Sequence, residues 1–135
     1  MARLEVNGLA ELELSFEEMA RLPDDVTDKM LLAGAGVAEK AQRAKGIAYG
    51  VYRTGLTLAS ITHDKIRKNK DGKSVNVVFK GTNKNGNRNA EIAYINEFGK
   101  TRQAARPFIR DANEECADAV VTAEEQPYNE WLDSL

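Results

Sequence analysis

From Asp24 onward apolar residues recur at Val26, Met30, Ala33, Val37, Ala41, Ala44 and Ala48, steps of three and four that predict one long amphipathic helix. Pro23, Asp24 and Asp25 stand at its positive end and Lys40, Arg43 and Lys45 lie toward the other, as the helix macrodipole favours. Most of this stripe is alanine, so whatever packs on it comes close. A second stripe, Phe108, Ala112, Cys116, Ala119 and Ala123, predicts a last helix that begins behind Pro107 and ends near Pro127.

Between the helices the period changes. Val75, Val77 and Phe79 alternate, and the runs Ile61 to Asn69 and Ser74 to Gly81 flank Lys70-Asp71-Gly72-Lys73, a strong hairpin signal. The solvent face of that hairpin is expected to carry Lys65, Arg67, Lys73 and Lys80. Ahead of it, Gly55 can end one element and Thr54 cap the next, which predicts a hinge into a short helical turn or a strand. Ala90 to Phe98 fits a short helix or a strand, stopped by Gly99. Gly81 to Asn89 has no apolar residue and Lys100 to Ala105 is also polar, so both are expected to be mobile loops. At the start, Leu4, Val6, Leu12, Leu14 and Phe16 alternate weakly around Asn7-Gly8, as in a small hairpin. Ser15 with Glu18 fits a capping box for a short helix from Phe16 to Leu22, ended by Pro23.

The expected fold class is therefore α+β, with a long N-terminal helix and a C-terminal helix packed on a small antiparallel β-sheet. At 135 residues one domain spanning 1–135 is the expectation, with 1–22 an N-terminal extension and 116–135 an acidic C-terminal helical end. No stretch approaches the ~20 apolar residues of a membrane span, so no membrane partner is expected. The charges after Met1-Ala2-Arg3-Leu4-Glu5 predict no export signal.

A net charge of −2 hides a strong polarity. Residues 61–110 carry 12 basic and 4 acidic side chains, whereas residues 111–135 carry 8 acidic and no basic ones. Such a split suits either an anionic partner for the middle or complementary faces that meet within or between subunits.

Candidate chemistry is sparse. With one His and one Cys, a His/Cys metal cluster cannot be assembled within the chain, and no cofactor is expected. Cys116 lies on an apolar stripe and reads as a small core residue. His63 and Asp64, neighbours on a strand, should point to opposite faces, which argues against a general-base pair. Gly34-Ala35-Gly36 lacks the third glycine of a phosphate-binding turn and lies in a helical pattern. The chain is accordingly read as not an enzyme. A small DNA-binding or regulatory protein using the basic hairpin 61–88 is the alternative, with non-specific DNA contact at its lysines and arginines. It is weakened because Phe79 alternates to the buried face and no exposed aromatic interleaves with those charges.

Two stretches carry a family resemblance: Thr54-Gly55-Leu56-Thr57-Leu58-Ala59-Ser60-Ile61, and Ile92-Ala93-Tyr94-Ile95-Asn96-Glu97-Phe98-Gly99 followed by Ala105-Arg106-Pro107-Phe108-Ile109-Arg110-Asp111-Ala112. In this order, around a polar hairpin, they resemble the small tail-component family of tailed bacteriophages and prophages, variously called neck, head–tail joining or tail completion proteins. The resemblance spans about residues 20–115. It departs from the family at Ala48-Tyr49-Gly50-Val51, where a proline usually precedes the TG segment, and at Lys100, which intervenes before Thr101.

The resemblance implies a structural virion protein without enzymatic activity or cofactor. It would assemble as a ring with copies of itself, six in the particle, beside neighbouring neck and tail proteins. Its place would be the virion head–tail junction or upper tail, and the host cytoplasm during assembly. The matched residues Thr54, Gly55, Leu58, Ser60, Ile61, Tyr94, Glu97, Phe98, Gly99, Arg106, Pro107 and Phe108 are expected to be structural. Gly99 would free a sharp turn, Arg106 would pair a carboxylate such as Glu97, and Phe108 would anchor the last helix. Lys84, Arg88, Lys100 and Arg102, in the polar loops, are the expected subunit or partner interface.

Overall fold

The computed structural model describes residues 3–6, 10–15, 22–51, 56–70, 72–83 and 85–135. The chain runs β1 (Arg3–Val6), β2 (Ala10–Ser15), α1 (Asp24–Ala48), α2 (Leu56–Ala59), β3 (Ile61–His63), β4 (Arg67–Asn69), β5 (Gly72–Phe79), α3 (Asn89–Phe98) and α4 (Phe108–Asp133). It is an α+β fold in which the two long helices pack on each other and on a small antiparallel sheet. All of the expected helix from Phe16 to Leu22 except Leu22 itself, the Thr54-Gly55 pair, Asp71 and Lys84 lie outside the described residues.

β5 is the centre of the sheet. On one side it pairs with β2, which continues into β1, with Leu12 opposite Val75 and Leu4 opposite Leu12. The N-terminal alternation thus does form a hairpin, and that hairpin extends the main sheet. On the other side β5 pairs with both β3 and β4, with Ile61 opposite Phe79 and Arg67 opposite Ser74. The run Ile61 to Asn69, expected as one strand, is two strands broken at Asp64–Ile66. Asp64 causes the break by competing with the ladder: its carboxylate accepts the Asn76 backbone N–H at 2.9 Å and holds Arg67 at 3.1 Å.

Val75, Val77 and Phe79 are buried, as their alternation predicts. Lys73 shares their parity, and the expectation that it faces solvent is corrected: it is 5% exposed, under the first turn of α1. Its ammonium donates to Thr27 Oγ1 at 2.8 Å and Asp28 Oδ1 at 2.7 Å, and pairs with Asp24 at 3.2 Å. Burial pulls the ammonium pKa down, yet the hydrogen bonds to Asp28 and Asp24 outweigh it and the net shift is upward. The lysine therefore stays charged and ties the sheet to the acidic start of α1.

The buried face of α1 is Val26, Thr27, Met30, Leu31, Gly34, Ala35, Ala38, Gln42 and Gly46. Only Val26 and Met30 belong to the expected stripe. From Ala33 on, the stripe lies beside the core, and Ala44 and Ala48 are exposed. Close approach holds nonetheless, because small residues line the true contact. A Cβ added to Gly46 would stand 2.4 Å from Leu58 Cδ2, so the end of α1 sits directly on α2. Arg43 clasps the same junction, donating to the carbonyls of Leu58 at 3.3 Å and Ile61 at 3.2 Å.

The last helix also departs from expectation: α4 does not end near Pro127 but continues to Asp133 with that proline inside it. Proline removes one backbone donor and crowds the carbonyl one turn earlier. Here tertiary packing holds the helix beyond it, since Tyr128 and Trp131, with ring centroids 6.2 Å apart, are half-buried against the core. Phe108 is completely buried at the other end, edge-on to Phe79 with ring centroids 6.0 Å apart.

Candidate assembly interface

The turn from α3 into α4 collects most of the second motif. Gly99 caps α3 at φ 77° with its N–H on the Ile95 carbonyl, and an added Cβ would stand 2.7 Å from the Gln103 carbonyl oxygen. Glycine is thus required twice, by the left-handed backbone and by the chain folded back against it. Lys100 and Gln103 close a tight turn by exchanging both backbone hydrogen bonds, and the Arg106 N–H returns to the Asn96 carbonyl.

That return brings the start of α4 alongside Glu97. The Glu97 side chain, 4% exposed, accepts the backbone N–H groups of Ile109 at 2.7 Å and Arg110 at 3.2 Å. Pro107, at the N-cap position of α4, supplies no side-chain cap. A carboxylate from the preceding helix therefore does the work that a local Ser or Asp does elsewhere. The expected Arg106–Glu97 pair is corrected. Arg106 is exposed and donates to the Gly50 carbonyl at 3.2 Å, while the Glu97 oxygens are taken up by the otherwise unfilled backbone donors of α4. Burial pushes the Glu97 carboxyl up, against the pull of the two backbone donors. Glu97→Ala strands two N–H groups at a helix start, so a loss of about 1–3 kcal/mol is expected in a thermal or urea melt. An unchanged midpoint would remove Glu97 from this role.

Three described residues of the first motif also pack within the fold. Leu58 and Ile61 are core residues, and the Ser60 hydroxyl donates to the Thr57 carbonyl at 2.6 Å. His63, at the end of β3, meets Glu39 of α1 at 2.8 Å, a link between hairpin and helix. The polar loop before α3 is folded by its own groups: Asn83 Oδ1 accepts the N–H groups of Asn85 and Asn87, and Asn89 Nδ2 donates to the Lys80 carbonyl.

Two motif residues do not serve the core. Tyr94 and Phe98, one turn apart on α3, are 64% and 54% exposed, with ring centroids 4.7 Å apart. They form an aromatic knob on a helix flanked in sequence by Arg88 on one side and Lys100 and Arg102 on the other, all exposed. Within the basic hairpin itself the only aromatic, Phe79, is buried.

A second surface lies between the long helices. Val37, Ala41, Ala44 and Ala48 of α1 and Ala112, Cys116 and Ala119 of α4 line an open apolar groove of about 500 Å³. Lys40, Lys45 and Glu115 stand on its rim, with Lys45 and Glu115 paired at 2.7 Å. These are the very stripes the sequence marks as core. Alanine on both flanks leaves a trough where larger residues would have filled it. Burial raises the Cys116 thiol pKa, which makes it a poor nucleophile.

Among the described residues, no three His, Cys, Asp or Glu side chains stand together as a metal site, and no helix is long and apolar enough to cross a membrane. Comparison of the chain with protein-family models, with curated proteins and with solved structures finds no match.

Proposed function

We propose that this chain is a structural subunit of a tailed phage or prophage particle, acting at the head–tail junction or upper tail in tail completion or head–tail joining, as part of a ring. The observation that carries this reading is the division of labour in the second motif. Glu97, Gly99 and Phe108 build a rigid corner between α3 and α4, and the helix so fixed presents Tyr94 and Phe98 to solvent between basic loops. A corner of this kind supports a contact surface, not a reaction. The acidic end adds an opposite face: Glu114, Glu115, Asp118, Glu130 and Asp133 of α4 are exposed. Unlike faces on one subunit are what a head-to-tail contact needs if it is to close into a ring.

The loop cations provide the test. Arg88→Ala and Lys84→Ala, substitutions in a stretch whose sequence has no apolar residue, are expected to melt like the parental chain while reducing the yield of joined particles from purified heads and tails. The exposed Arg88–Glu91 pair, at 3.9 Å, contributes little to stability. Normal melting with normal joining would take the basic loops out of the interface.

A further inference from the structure

We propose that copies of this chain associate by seating the Tyr94–Phe98 knob of one copy in the α1–α4 groove of the next. The occupant is a second copy because each surface supplies what the other lacks. The knob consists of two large rings held against each other and more than half exposed, and the groove is an open trough lined mostly by alanine. At about 500 Å³ the trough is in the range that accepts a drug-sized apolar body, which two rings on one helical face resemble.

Charge supports the same pairing. On the α4 wall of the groove Glu115 stands on the rim, its neighbours in sequence Glu114 and Asp118 are exposed, and no basic residue follows Arg110. The knob is followed by Lys100 and Arg102. Arg88 precedes it, so the knob carries exposed cations on both sides, complementary in sign to the acidic α4 wall of a second copy. Knob and groove are different surfaces, so the contact is heterologous and every seated copy leaves one knob and one groove free. Aromatic side chains entering a pocket are the commonest centres of binding energy, and the charged rim sets orientation. This inference deepens the ring assembly proposed above and rests on it only for biological purpose, since self-association can be measured alone.

Two disabled chains make the test. Tyr94→Ser with Phe98→Ser removes the knob, and Ala119→Arg blocks the groove with bulk and the wrong charge. All three positions are exposed, so the melting midpoints should hold. By sedimentation over a concentration series the parental chain should form oligomers beyond the dimer, and each disabled chain should associate at least about tenfold more weakly, as the loss of one aromatic anchor implies. An equimolar mixture of the two should form a 1:1 heterodimer and nothing larger, because only one good knob and one good groove remain. The proposal is overturned if the parental chain stays monomeric, if the knobless chain associates as the parental one does, or if the mixture remains monomeric. Knob-in-groove association by a chain with no part in joining heads to tails would sink the phage reading alone. Joining that survives loss of the knob would sink this inference alone.

Discussion

Phe108→Ala is expected to cost about 3–5 kcal/mol, enough to unfold much of the population of a small domain. The ring is fully buried at the first turn of α4, edge-on to Phe79 of the central strand, and it also faces the close contact of Gly46 with Leu58. Its removal opens a cavity where α1, α2, α4 and β5 meet, and Gly46, which faces the ring, has no side chain with which to refill it. Urea denaturation would read the loss as a lower midpoint with an unchanged slope. A loss below about 1 kcal/mol would mean that the corner can collapse and that α4 is anchored elsewhere.

The second large effect is on pH dependence. Glu124 of α4 is 1% exposed, neither carboxyl oxygen has a hydrogen-bond partner among the described residues, and burial raises its pKa from 4.5 to about 7. The folded state thus holds a proton that the unfolded chain releases near pH 4.5. The stability this proton provides is complete below pH 4.5 and is lost as pH rises to about 7, by about 3 kcal/mol over the window. Glu97, also raised by burial, adds a weaker slope of the same sign. Asp24 and Asp111 are lowered, chiefly by their hydrogen bonds with Lys73 and Tyr49, and work in the opposite direction from more exposed positions. Glu124→Gln should lose most of the slope, gaining about 3 kcal/mol relative to the parental chain between pH 4.5 and 8. Denaturation midpoints of both proteins across that range decide it. Parallel curves would show that Glu124 is solvated or partnered in solution.

What could be read in the sequence follows from where periodicity carries information. The existence of α1 and α4 is written in steps of three and four, and the burial of Val75, Val77 and Phe79 in steps of two. The rotation of α1 is not, because Ala33, Ala35, Ala38 and Ala41 are equally apolar and spread around more than one face. The deciding residues there are Gly34, Gly46 and a polar pair, Gln42 donating to Asn113 at 3.0 Å across the helix interface. Lys73 could have been placed, since its parity with Val75 was visible and charge alone argued for solvent. Pro127 misleads because local helix-breaking loses to the packing of Tyr128 and Trp131. The Glu97 cap is out of reach for local reading: its donors lie twelve and thirteen residues on, and only the Gly99 turn brings them back.

The candidate interface was legible in part. Tyr94 and Phe98 stand in the motif, one turn apart, but nothing in the pattern of α3 distinguishes an aromatic pair facing the core from one facing away. Ala93 and Glu97 took the buried side. The groove is the other half of the same ambiguity, an alanine stripe that looks like core until the helices are placed.

The proposed role itself is tested most directly on particles. The gene for this chain should be deleted from the genome that carries it, and the particles then made should be viewed by electron microscopy with and without added purified protein. Loss of the chain should leave separate filled heads and unjoined or unfinished tails, restored to joined particles by the parental chain and not by the knobless one. Joined, infectious particles in the absence of the chain, or a genome that makes no tailed particle at all, would contradict it.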